Sequence, residues 1–313
     1  EWMRFIAGAR YEGARQTLDA QSPFAVGGPP PAISRLTHDV LPSANLVFSP
    51  SGQINIRAGY AYTLARPTFR ELGPFLFFDI VRRRNVSGNP SLESTHIHHV
   101  DVRAEWFPTE GEVFAVSGFA KRFVKPIERV VVGSVSNDDF SFRNADGAAL
   151  LGLELEARTS LKRLHAALSN FNIGSNVSLI SSQIELTQGS GQLGSTNRPL
   201  QGQSPYVANF SLGFSKPEWG TEAGLFYNVY GPRISEVAVS PQPDFIEQPF
   251  HRLDATVTQS LGGGFQLKLS ASNLLNQSVQ IKKGDIDVLR IPPGLQFALN
   301  LSWTMNQPER KSP

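Results

Sequence analysis

The chain has 313 residues, 40% hydrophobic and 18% charged, a balance too apolar for a disordered polypeptide and ample for one large folded unit. Twenty-nine basic residues face 27 acidic ones, a net charge of +2 with the signs interleaved, so nothing asks for nucleic acid as a partner. There is no cysteine, which removes disulfides, thiolate catalysis and sulfur-ligated metal sites together.

The chain opens at Glu1 on strand-like residues rather than on a basic, apolar and then small-residue leader, so processing or truncation is expected to have removed the front. No run approaches the ~18 apolar residues of a membrane helix, so any membrane crossing must be made by strands. An alternating pattern runs from residue 3 to residue 305 without a composition break. It reads as one domain, 1–305, followed by a tail, 306–313.

In chain order, weaker strands at 3–16 and 41–50 bracket a long connection at 17–40. From Gln53 to Ala65 the even positions Ile54, Ile56, Ala58, Tyr60, Tyr62 and Leu64 are apolar, whereas the odd ones are polar or small. Val100, Val102, Ala104 and Trp106 repeat this against Asp101, Arg103 and Glu105, and after a weak strand at 112–130 so do Leu151, Leu153, Leu155 and Ala157 against Glu154, Glu156 and Arg158. Further copies start at Phe171, Tyr206 and Ala223, a weak one covers 248–261, and the last two carry Phe265, Leu267, Leu269, Ala271 and Leu295, Phe297, Leu299, Leu301, Trp303. Successive strand side chains point to opposite faces, so these are two-faced strands. About twelve of them, each about ten residues long, exceed the ~5 to 6 residues of globular strands and match a tilted crossing of a bilayer.

Short turns at Ser49–Gly52, Pro108–Gly111, Lys216–Glu218 and Gly262–Gly264 alternate with long connections at 17–40, 66–95, 131–143, 186–200, 231–247 and 277–290. That parity is expected of an outer-membrane barrel, with turns in the periplasm and loops outside. Phe48, Trp106, Phe214, Phe265 and Trp303 beside the turns, and Tyr62 and Tyr206 beside the loops, read as two interfacial girdles.

Several segments resemble the barrel of TonB-dependent outer-membrane receptors: Tyr-Thr-Leu-Ala-Arg-Pro-Thr-Phe-Arg-Glu-Leu from Tyr62, Val-Ser-Gly-Asn-Pro-Ser-Leu from Val86, Gly-Phe-Ala-Lys-Arg-Phe from Gly118, Gly-Leu-Glu-Leu-Glu-Ala from Gly152 and Ala-Ser-Asn-Leu-Leu-Asn from Ala271. The resemblance implies a barrel of ~22 strands around an amino-terminal plug, on which TonB pulls to import a scarce nutrient. This chain would then be an all-β, antiparallel transmembrane segment of about twelve strands, the second half of the ring, forming an open curved sheet with both ends on the periplasmic side. The plug and the segment that touches TonB are not in this chain. Barrels of this kind usually finish on an aromatic residue, so Trp303 reads as the end of the last strand.

On the polar face, Arg57, Asp101, Arg103, Glu105, Glu154, Glu156, Arg158, Arg252 and Asp254 could bind a ligand or pair across strands and with the plug; cross-strand pairing is the commoner use. Arg82, Arg83 and Arg84 in the 66–95 loop could grip an anionic solute or a lipopolysaccharide phosphate, or merely be solvated. His96, His98 and His99 lack the further ligands of a metal shell. No strained Gly-Xaa-Ser-Xaa-Gly turn, phosphate-cradling loop or His-Glu-Xaa-Xaa-His is present, so no enzyme and no cofactor are expected. The reading is therefore a receptor in the outer membrane of a Gram-negative bacterium, in contact with lipid and lipopolysaccharide. It would take up a metal chelate such as a siderophore, or a glycan. A self-contained passive channel of about twelve strands and a soluble carbohydrate-binding β-sandwich are the alternatives.

Overall fold

The computed structural model describes residues 2–19, 32–132, 139–186, 197–239 and 241–305. The expected tail at 306–313 lies outside them, as do parts of the connections at 17–40, 131–143 and 186–200 and one residue of that at 231–247. Twelve strands form one sheet: β1 (Met3–Leu18), β2 (Ile33–Ser51), β3 (Ile54–Ala65), β4 (Thr95–Trp106), β5 (Val113–Val124), β6 (Gly147–Ser160), β7 (Phe171–Glu185), β8 (Tyr206–Lys216), β9 (Thr221–Tyr230), β10 (Phe250–Gly262), β11 (Phe265–Ser272) and β12 (Gln296–Trp303). Each pairs antiparallel with its neighbours in chain order, and β1 and β12 pair on one side only. The sheet is open, so neither a closed twelve-stranded ring nor two sheets packed face to face is realised.

The expected register holds. Ile54, Ile56, Tyr60, Val102, Leu153, Leu155, Phe210, Leu212, Leu299 and Leu301 are all exposed, with Leu299 at 68%. Cross-strand partners such as Ile56–Ala104 and Leu153–Leu179 continue this apolar face from strand to strand. A large, contiguous apolar surface is the reverse of a water-soluble protein and suits hydrocarbon. Four ring pairs line its turn end: Trp2–Phe48, Trp106–Phe114, Phe171–Phe214 and Phe265–Trp303, with centroids 6.0, 5.5, 5.0 and 6.1 Å apart. Rings that are part apolar and part polar collect at that boundary.

Several boundaries differ from the sequence reading, for identifiable reasons. β2 begins at Ile33 and β1 runs to Leu18, so much of the 17–40 segment is paired strand. The single strand expected at 112–130 breaks after Val124, because Lys125 takes φ 56° ahead of Pro126 and the chain leaves the barrel. The connections at 66–95, 131–143, 231–247 and 277–290 are not simple polar loops. Leu76–Asp79, Arg84–Ser87, Phe140–Asn144 and Ile127–Val131 make one four-stranded sheet, and Arg233–Glu236, Phe245–Glu247, Val279–Lys283 and Ile286–Ile291 make another. The expectation that every pairing is antiparallel fails here: Val86–Phe140 and Val130–Val237 pair parallel, since strands from different connections meet.

The barrel carries few fully buried side chains, because its apolar face looks outward. The buried core lies instead between the two small sheets, where Val86, Val131, Phe140, Phe245 and Ile281 pack with Phe77, Phe142 and Leu289. Val130, Ile234 and Val237 form a second cluster beside it.

The family-like segments have physical explanations. Thr68 and Glu71 form a capping box on the helical turn Phe69–Leu72. The backbone of Gly88 then approaches that of Gly73 so closely that a Cβ would sit 2.2 Å from the Gly73 carbonyl oxygen. At Ala271–Asn276, Asn273 and Asn276 take φ 55° and 49°, and Asn273 Nδ2 donates to the Gly294 carbonyl at 3.0 Å, which ends β11 and ties down the next connection.

Candidate functional site

Two polar regions qualify, the inner wall of the sheet and the cap over its loop end. On the wall, strand alternation puts Arg57, Arg103 and Glu105 on one face of β3 and β4, and β6 adds Glu156. Arg57 Nε donates to Glu105 Oε2 at 2.7 Å, Arg103 Nε to Glu105 Oε1 at 2.8 Å and Arg103 Nη2 to Glu156 Oε2 at 2.6 Å. Glu105 is thus shared by two guanidinium groups, and these side chains pair along and across the strands. Glu154 accepts from Asn176 across β6 and β7, and Arg252 Nε donates to Asp254 at 2.9 Å while Asp254 also accepts from Asn273 N. Arg158 makes no ion pair among the described residues. It borders a concave hollow lined also by Asn209, Phe226, Asn228 and Arg252.

In the cap, Arg82, Arg83 and Arg84 do not act as one cluster. Arg82 Nε donates to Glu236 Oε1 at 2.8 Å, joining connections 154 residues apart in sequence. Arg129 lies 3.6 Å from Asp79 and 3.7 Å from Glu236, and its guanidinium stands 5.3 Å from the Phe140 ring. Arg84 with Arg82, Phe140, Glu236, Phe245 and Ile281 lines a crevice between the small sheets, whereas Arg83, at φ 54°, is exposed. Glu236 is 2% exposed while Asp79, Arg129 and Arg82 keep contact with solvent, so this seam is a partly buried ionic network in which losing an arginine would strand the Glu236 carboxylate. Burial alone would raise the Asp79 carboxyl. The N–H groups of Arg82 and Val81 and the charges of Arg82 and Arg129 outweigh that and hold it below the ordinary aspartate value. Glu247 is likewise held below the usual range, against burial, by hydrogen bonds from Arg233 and Tyr230.

A second buried pair locks the seam. Arg198 donates to both oxygens of Glu128 at 2.9 and 2.7 Å. The amide of Gln201 bridges the two sheets by donating to the carbonyls of Arg129 and Ser235, each at 2.8 Å, while accepting from Arg129 N at 2.7 Å. The sequence reading missed Asp79, Glu128, Arg129, Arg198, Gln201 and Glu236 as site-forming residues. Their one local signal was Pro126-Ile127-Glu128 just after a strand. The three histidines disperse as well: His96 meets Asp39 at 3.0 Å, His98 meets Tyr60 at 3.0 Å and His99 meets Thr63 at 2.8 Å.

The arrangement is therefore a wall whose inner charges are mostly neutralised in pairs, surmounted by a cap in which salt bridges join four connections and strand pairing with Phe245–Glu247 adds a fifth at 277–290. Such a pair of features braces the loop end of the sheet in one shape.

A family described as "TonB dependent receptor-like, beta-barrel" matches residues 1–274. Solved structures with similar folds include the copper transporter OprC, at TM-score 0.68 and 16% identity over 97% of this chain and 46% of that one. The FrpB iron transporter of Neisseria meningitidis gives TM-score 0.62 and 14% identity, covering 96% and 42% of the two chains. The ferric enterobactin receptor PfeA of Pseudomonas aeruginosa gives 0.58 and 14%, covering 96% and 44%. The chain spans less than half the length of these structures. A search of curated proteins finds no match.

Proposed function

The chain belongs to the TonB-dependent receptor family, as part of its β-barrel, and on that premise we propose that it is the carboxy-terminal wall and cap of an outer-membrane receptor that imports a bulky solute with energy delivered by TonB. The observation that carries this reading is the combination of an outward apolar face, an inward polar face and a cap built from five cross-linked connections. A wall of this kind excludes lipid from a wet interior, and the cap gives the solute a shaped entrance. A plug supplied by the rest of the protein would gate the interior and touch TonB. The role is transport and not catalysis, in the outer membrane of a Gram-negative bacterium, with lipid and lipopolysaccharide against the outer face. The solute class favoured is a metal chelate, because the similar folds are described as iron, copper and ferric enterobactin proteins; a glycan is the other class.

The test is uptake by cells that express the full-length receptor and are given radioiron as siderophore chelates or labelled oligosaccharides. Accumulation should occur and should vanish when TonB is deleted. Removal of residues 66–95 should also abolish it while the protein stays inserted, since that segment carries Asp79 and Arg82 of the seam. Accumulation indifferent to TonB would overturn the proposal.

A further inference from the structure

On the outer face the same side-chain pair occurs three times in the same geometry. Tyr11 Oη lies 2.5 Å from His38 Nδ1, Tyr60 Oη 3.0 Å from His98 Nδ1 and Tyr227 Oη 2.6 Å from His251 Nδ1. In each case the histidine sits directly opposite the residue two beyond the tyrosine: His38 opposite Gly13, His98 opposite Tyr62 and His251 opposite Val229. The pairs bridge β1 with β2, β3 with β4 and β9 with β10. All three share the face of the exposed apolar residues, as the neighbours Val40, Val100 and Phe210 show.

The height of these pairs is also shared. Gly13, Tyr62 and Val229 stand eight to ten residues above the first paired residues Met3, Ile54 and Thr221. At ~3.3 Å per residue and a tilt of ~40°, that is about 20 to 25 Å above the turns, the upper border of a ~25 Å apolar band. Charge appears on this face at the same level: Arg122 stands opposite His98 and holds Glu185 through both guanidinium nitrogens.

When the phenol donates to Nδ1, the imidazole proton lies on Nε2, and in that tautomer each tyrosine holds its histidine with one N–H donor turned away from it. No partner for these three Nε2 atoms is found among the described residues. We propose that the three Tyr–His pairs form a belt that binds the phosphate-bearing headgroups of outer-leaflet lipid, with His38, His98 and His251 donating to phosphate oxygens and Tyr11, Tyr60 and Tyr227 acting as positioning residues. The inference rests on the reading that the outer face meets lipid. It adds a recognition chemistry to that face, because an apolar band alone would not distinguish one headgroup from another, whereas N–H donors favour an anionic oxygen acceptor.

The experiment is native mass spectrometry of the full-length receptor in detergent, supplied with equal amounts of bisphosphorylated lipid A and its enzymatically dephosphorylated form. The phosphorylated lipid should be retained at least about fivefold more. The triple variant His38→Phe, His98→Phe, His251→Phe keeps the ring area and should lose that preference. The triple Tyr→Phe variant at residues 11, 60 and 227 should retain an intermediate preference, with both variants still inserted as judged by heat-modifiable migration. Equal retention of the two lipids, or a preference unchanged in the histidine variant, would overturn the belt. Abolition of the preference by millimolar inorganic phosphate would overturn the lipid assignment and identify a free-phosphate site. A receptor that never inserts would instead sink the membrane reading itself.

Discussion

Replacing Arg198 by alanine should loosen the cap while leaving the barrel strands paired. Glu128 is 1% exposed and its two oxygens are taken up by Arg198. Truncating the arginine would strand a carboxylate in a site with little water, at a cost of about 3 to 5 kcal/mol. Glu128 also accepts from the amide of Gln201, whose side chain ties Arg129 to Ser235, so the disturbance passes directly into the joint between the small sheets. Hydrogen exchange is the suitable measurement: the Val131 and Val237 amides, which donate across that joint at 2.9 and 3.2 Å, should exchange at least about a hundredfold faster. Amides within β6 and β7 should be unchanged. The double variant Arg198→Met, Glu128→Leu should recover most of the protection, because removing both charges leaves no unpaired ion. Equal exchange in Arg198→Ala and the parent would show that the pair contributes nothing to the cap.

The isolated 313-residue chain should not sustain a steady pore in a lipid bilayer. β1 and β12 each have one unpaired edge, along Met3–Leu18 and Gln296–Trp303. About half of the N–H and C=O groups of an edge strand point away from its partner, and each one left in hydrocarbon costs several kcal/mol. Two such edges amount to a penalty on the order of tens of kcal/mol, larger than the whole stability of an ordinary domain. Closing the ring with further strands removes it, which is why the full-length receptor should insert where this chain alone does not. Planar-bilayer recording of the two proteins side by side makes the comparison. A constant unit conductance from the chain alone, with a hydrogen-bonded ladder between β1 and β12, would contradict this account.

The barrel was legible in the sequence because its information is local. A two-residue period needs only neighbouring positions, and the exposed Leu151, Leu153 and Leu155 sit where that period places them. The break after Val124 was partly legible too, since Pro126 cannot donate to a ladder. The cap was not legible. Its strands are three to six residues long, too short for a period to stand out, and Arg82 meets Glu236 across 154 residues of chain. An arginine triplet in a polar connection carries no mark that its first member is half-buried against a glutamate and its second exposed. The inner-wall charges fall between these cases. Alternation put Arg57, Arg103 and Glu105 on one face, but that Glu105 is shared by both arginines follows from the cross-strand register, which a single sequence does not contain.

The central claim is that one face of this sheet meets lipid and the other a wet interior. This chain has no cysteine, so a single introduced cysteine is a unique label within it, and any cysteine elsewhere in the full-length receptor is replaced by serine beforehand. The most direct measurement places an environment-sensitive fluorophore in turn at residues 151 to 156 of β6 in the full-length receptor, and records quenching by brominated lipid. Labels at 151, 153 and 155 should be quenched and those at 152, 154 and 156 spared, residue by residue. Quenching that fails to alternate, or that alternates in the opposite phase, would contradict the account.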